Sequence, residues 1–127
     1  MFDFMASVPE PRYSATEYLA RERSAGHKSE FFRGELFAMA GGTANHNRIV
    51  RNVITQLDAQ LKGRDCEVFP SDLRLSCPGG LITYPDSQVI CGSLEFLAGT
   101  DDTVTNPRLI VEVLSKSTES YDRGQKF

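Results

Sequence analysis

Apolar residues change their spacing several times along this chain, and each change marks an element. Ile49, Val50, Val53, Ile54, Leu57 and Leu61 recur three and four residues apart. That period predicts a helix over about residues 44–62 with one apolar stripe. Gly63 stops it in the usual C-terminal way. Earlier, Ser14-Ala15-Thr16-Glu17 has the serine-to-glutamate spacing of a capping box, which predicts a short helix to about Ser24 that stops at Gly26. Between the helices, Ser29–Phe32 and Glu35–Ala40 flank Arg33-Gly34, which reads as a β-hairpin ended by Gly41-Gly42. Leu73, Leu75 and Cys77 then alternate with Arg74 and Ser76, a half-buried strand closed by Pro78-Gly79-Gly80. Ser87–Cys91 is strand-like and follows Tyr84-Pro85-Asp86. The run Leu109–Leu114, opened by Pro107, reads as a strand buried on both faces. A loop spans Gly99 to Asn106, and Thr118–Asp122 opens a further helix.

The order is helix, hairpin, long helix, three strands and a helix start, with no repeat, linker or low-complexity tract. It predicts one mixed α/β domain over residues 1–127, a mixed sheet flanked by helices. Residues 1–12 form an irregular lead-in, because Pro9 and Pro11 block regular structure. A domain of this type is expected to continue past Phe127, so its C-terminal part is expected to be missing.

Glu112 stands inside the apolar run, where a carboxylate is costly unless paired, protonated or bound to a metal. Ile110, Glu112 and Leu114 share one face of their strand by the period of two, so Glu112 needs a partner. Asp86 begins a neighbouring strand. Two acids converging at one sheet edge can hold a hard divalent cation through oxygen ligands. Such a cation activates water and neutralises charge building on a phosphoryl oxygen. Structural readings compete: Asp86 as a turn residue after proline, and Glu112 paired with an arginine such as Arg74.

Charge changes this picture little. The 127 residues carry a net charge of −3, with a pI of about 5.4, so no global positive field attracts nucleic acid. A groove can still be basic locally. No stretch approaches the roughly 18–20 apolar residues of a membrane span, and the first residues lack a secretory pattern. Cys66, Cys77 and Cys91 are odd in number and widely spaced. They are expected to be reduced thiols of a cytoplasmic protein, packed as small apolar side chains.

Other motifs lead elsewhere or nowhere. Gly41-Gly42-Thr43 is followed by no lysine of a phosphate loop and reads as a turn into the helix. Ser115 and Ser117 lack a nucleophile-elbow context. His27 and His46 form no zinc-hydrolase pair. For His46 a surface or helix-capping place competes with a functional one. Arg48 and Arg51 could meet phosphate, although a solvated helix face accounts for them equally.

Tyr84-Pro85-Asp86, then Val111-Glu112-Val113-Leu114-Ser115, then Tyr121-Asp122-Arg123-Gly124-Gln125-Lys126 resemble, in that order, a bacterial family described as restriction endonucleases, the Uma-two family. The hairpin with Gly34-Glu35 and the segment from Met39-Ala40-Gly41 to His46 resemble its N-terminal half, so the similarity covers nearly all of residues 14–127. The resemblance implies the PD-(D/E)XK nuclease fold. It also implies that Asp86 and Glu112 bind Mg²⁺ or Mn²⁺, with the Val113 carbonyl as a further ligand. The superfamily lysine two residues after the second acid is absent, since Leu114 stands there. By resemblance Lys126, on the following helix, takes its place, with Lys116 as a rival. Glu30 or Glu35 could add an acid. The implied activity is metal-dependent hydrolysis of phosphodiester bonds in DNA. The competing reading is an inactive remnant serving as a binding or assembly module. Exposed apolar edges of a shortened domain would favour a homodimer.

Overall fold

The computed structural model describes residues 12–114. Its first helix, α1, spans Ala15–Ser24. Ser14 accepts from the backbone N–H of Glu17, whose side chain accepts from the backbone of Ser14, the reciprocal cap expected from the spacing. The hairpin follows as β1 (Ser29–Phe32) and β2 (Glu35–Ala38), paired with Phe32 opposite Glu35. Its two turn residues, Arg33 and Gly34, both have positive φ, 53° and 86°, which is why glycine stands second. The long helix α2 spans Ala44–Gln60, and Gly63 just beyond it has φ of 79°.

Six strands follow α2 among the described residues: β3 (Cys66–Pro70), β4 (Arg74–Ser76), β5 (Ile82–Thr83), β6 (Ser87–Cys91), β7 (Thr103–Val104) and β8 (Leu109–Val111). They form two sheets. One has five strands in the order β2-β1-β5-β4-β7, the other three in the order β3-β6-β8. Pairing is antiparallel except between β4 and β7. The expected mixed fold is present, with three strands more than the apolar pattern predicted. β7 lies inside the stretch expected as a loop, and both it and β5 are only two residues long.

Two apolar clusters fill the interior. Tyr18 and Leu19 of α1 pack on Phe31 and Ile82, with Tyr18 and Phe31 stacked at 5.1 Å between ring centroids. Leu75, Ile90 and Val104 form the second, extended by Phe69, Leu73, Cys77 and Ile110. The stripe of α2 rests against β3, yet none of its residues is fully buried among the described residues.

Between the clusters runs a buried polar strut. Glu22 of α1 accepts from the Ser29 backbone N–H at 2.8 Å and from the Tyr84 hydroxyl at 2.5 Å. Arg74 donates to the Tyr84 oxygen at 3.1 Å, to Thr103 at 3.2 Å and to Asp102. Arg23 grips the same Asp102 with two donors, at 2.9 and 3.2 Å. Burial pushes the Tyr84 phenol up to about 12, with the hydrogen bond to Glu22 adding to it. Burial, then Tyr84 and Glu22 nearby, raises Tyr18 further still. Hydrogen bonding from Arg23 is the main influence holding Asp102 down at about 2, with Thr103 and Arg74 adding.

Four expectations need correction. Arg74, which alternates with apolar residues on a half-buried strand and is a candidate buried partner for Glu112, is only 7% exposed, and Asp102, Tyr84 and Thr103 engage its guanidinium instead. Cys66 and Cys91, expected as thiols, face each other across β3 and β6 and are joined by a disulfide. Their separation in sequence hides a direct cross-strand register. The strand expected over Leu109–Leu114 ends at Val111, and Glu112 lies just past it, half-buried. Nor is that strand covered on both faces, since Leu109 is 46% exposed. β8 is the edge of its sheet, bonded only to β6 among the described residues.

Candidate functional site

The two acids singled out in the sequence meet. β6 and β8 run antiparallel with Ser87 opposite Val111, so the residue before one strand lies beside the residue after the other. Those residues are Asp86 and Glu112. The backbone N–H of Asp86 donates to Oε1 of Glu112 at 3.0 Å. In return the backbone N–H of Val113 donates to Oδ2 of Asp86 at 2.7 Å. Each chain segment thus anchors the other's carboxylate, and strand register alone brings this about.

Backbone amides orient a carboxylate without cancelling its charge, because they carry only partial charges. Asp102 counts two guanidinium groups among its partners. Asp86 retains 22% exposure of its side chain, so it is reachable from solvent.

His46 joins them. It lies in the first turn of α2, where its backbone N–H donates to the capping Thr43 hydroxyl at 3.1 Å. Its Nε2 stands 3.3 Å from Oδ2 of Asp86, and its side chain is 18% exposed. The backbone belongs to a helix cap, as the sequence allowed, but the ring is turned inward instead of lying on the surface. No short-range pattern marks this, since the contact joins residues on α2 and before β6.

The remaining candidates scatter. Glu30 is buried in the other sheet, where the Thr83 hydroxyl donates to it. Glu35 sits on the hairpin, 3.9 Å from Arg12. Among the described residues, no three His, Cys, Asp or Glu side chains form a group able to hold a metal ion. Arg48 and Arg51 lie exposed on α2 and bond to the side chains of Asn45 and Asn52. Lys116 and Lys126 lie outside the described residues.

No helix among the described residues is long and apolar enough to cross a membrane. Comparison with known proteins gives the ancestry. Two uncharacterized proteins of Synechocystis sp. (strain ATCC 27184 / PCC 6803 / Kazusa) are similar in sequence. One is 44% identical over 115 residues, covering 90% of this chain and 65% of that protein. The other is 41% identical over 122 residues, covering 95% and 63% respectively. The chain therefore spans a little under two thirds of the length of these relatives. A crystal structure from Anabaena variabilis ATCC 29413, described as a "putative nuclease belonging to DUF820", superposes with a TM-score of 0.71. Its identity is 18%, and the match covers 90% of this chain and 65% of that one, so the fold is shared. The profile of the Uma2 family, described as "Putative restriction endonuclease", matches residues 15–127. With that match and two relatives above 40% identity, the chain belongs to the Uma2 family.

Proposed function

We propose that this protein is a Mg²⁺- or Mn²⁺-dependent endonuclease that hydrolyses phosphodiester bonds in DNA. The observation that carries the proposal is the reciprocal anchoring of Asp86 and Glu112 at the paired ends of β6 and β8. Membership of the Uma2 family and a fold shared with a protein described as a nuclease support it.

The residues fit a divalent cation. Carboxylates are the hard oxygen donors that Mg²⁺ and Mn²⁺ prefer, and these two are held side by side. Asp86 and Glu112 would hold the ion, with the Val113 carbonyl as a further ligand. Mg²⁺ keeps several waters and is often bound through one or two carboxylates, so a cluster of three side chains is not required. When bound, the cation lowers the pKa of a water and stabilises negative charge on a phosphoryl oxygen. In this proposal Lys126 orients the attacking water by donating to it and offsets the developing charge. Phosphate oxygens supply the substrate's charge, and the bases are left to contacts elsewhere.

Glu112→Gln tests the proposal cleanly. The amide oxygen can still accept from the Asp86 N–H, so the fold should persist with an unchanged unfolding midpoint. Metal-dependent cleavage of plasmid DNA should fall by more than about a hundredfold, beyond what is usual for groups that only support a ligand. If the variant cuts as well as its parent, the mechanism is wrong.

A second reading draws on the net charge of −3, which gives no global positive field for nucleic acid. Under it the chain is a non-catalytic binding or assembly module. Calorimetry separates the two, because a folded sample that takes up no Mg²⁺ or Mn²⁺ at millimolar concentration supports the module. The proposal also places the protein in the cytoplasm and as a homodimer joined through exposed apolar residues such as Ile49, Phe96 and Leu109. Light scattering at the mass of a monomer would remove the dimer.

A further inference from the structure

His46 is held in place more tightly than a helix-capping residue needs. Its ring packs against the backbone of Gly42, where an added Cβ would come within 2.6 Å of Nδ1. That nitrogen is buried and has no hydrogen-bond partner among the described residues. Removing a ring nitrogen from water without replacing its hydrogen bond costs stability. The cap itself uses only the backbone N–H of His46 and the hydroxyl of Thr43, so it needs no imidazole. What the ring does reach is Oδ2 of Asp86, at 3.3 Å.

Oδ2 therefore lies between two groups, the Val113 N–H at 2.7 Å and Nε2 of His46. With one carboxylate oxygen so restrained, rotation of the Asp86 side chain is limited. We propose that His46 is a positioning residue for Asp86, fixing its carboxylate in the orientation that a divalent cation requires. The inference rests on the metal-site reading above. It adds that α2 serves the site as well as packing on β3. Residues that orient a metal ligand are commonly needed for full metal affinity, even though they never touch the ion.

The test is Mn²⁺ binding by titration calorimetry, with thermal unfolding of the same samples. Parent protein is compared with His46→Ala, His46→Gln and Gly42→Ala. His46→Ala should weaken Mn²⁺ binding by about 10- to 100-fold with little change in unfolding midpoint. His46→Gln, whose amide nitrogen can approach Oδ2, should recover most of the loss. Gly42 has no positive φ, so its backbone conformation accepts alanine and the strain falls on the ring contact. Its methyl would displace the unaltered imidazole, and Gly42→Ala should also weaken binding. Equal Mn²⁺ affinity in parent and His46→Ala overturns the positioning role while leaving the metal site standing. Loss that tracks a fall in midpoint, with no recovery in His46→Gln, makes the ring a packing element and also overturns it. A folded parent that binds no Mn²⁺ overturns both readings together.

Discussion

Two pairs of carboxylates in this fold are held in different ways. Around the strut, Asp102 is met by Arg23 and Arg74, and Glu22 by the Tyr84 hydroxyl and a backbone N–H. At the ends of β6 and β8, the Glu112 carboxylate accepts from the Asp86 N–H and the Asp86 carboxylate from the Val113 N–H. Opposite formal charge at Asp102 makes a fastener, whereas one oxygen each of Asp86 and Glu112 is taken by a backbone N–H, and Asp86 also has the His46 ring beside it. Acidity alone does not mark a site. What differs is which neighbours meet it and which element brings them there.

The largest test of this contrast is to loosen one half alone. The Cys66–Cys91 disulfide ties β3 to β6, the strand that Asp86 precedes. Closing a loop of 25 residues in sequence constrains the unfolded chain by about 3.5 kcal/mol on the chain-entropy account. Replacing both cysteines with serine should therefore lower stability by up to about that amount in urea titration. In a reducing cytoplasm the parent would already lack the bridge, and both proteins would then unfold alike.

Next comes Arg74→Met, which removes the guanidinium but keeps much of the apolar stem. Breaking a buried ion pair typically costs about 3–5 kcal/mol, and the lower end applies because Asp102 keeps Arg23 and is partly exposed. If the two halves act independently, Mn²⁺ affinity should match the parent in samples still folded. A parallel loss of metal binding would break the distinction.

The smallest effect is acid lability. Asp102 has a depressed folded pKa of about 2, against an ordinary 3.8. A lowered carboxylate stabilises the fold above its ordinary pKa and loses that contribution as pH falls toward the folded value. The melting temperature should thus decline between about pH 4 and pH 2 through this group. Asp102→Asn should begin lower and show a shallower decline over that range, because the titrating group is gone.

Much of this was legible from local pattern. The Ser14–Glu17 cap, the Arg33-Gly34 turn and the period of α2 each depend on residues a few positions apart, and each appears where expected. The pairing of Asp86 with Glu112 was legible too, from an acid before one apolar run and an acid in another. The rest depends on partners far along the chain. β5 and β7 are two residues each, too short to carry a period, and exist because β4 lies between them as a template. Arg74 alternates with leucines and so reads as exposed, but Asp102, 28 residues later, makes its burial tolerable. His46 gave no sign of its inward turn, because only the folded chain brings α2 beside Asp86.

Crossed hydrogen bonds tie the Asp86 N–H to Glu112 and the Val113 N–H to Asp86. A slip of β8 by a single position against β6 would separate the acids, so a chain still threading its strands together holds no competent pair. Whatever these oxygens grip, they can grip it together only while that register holds.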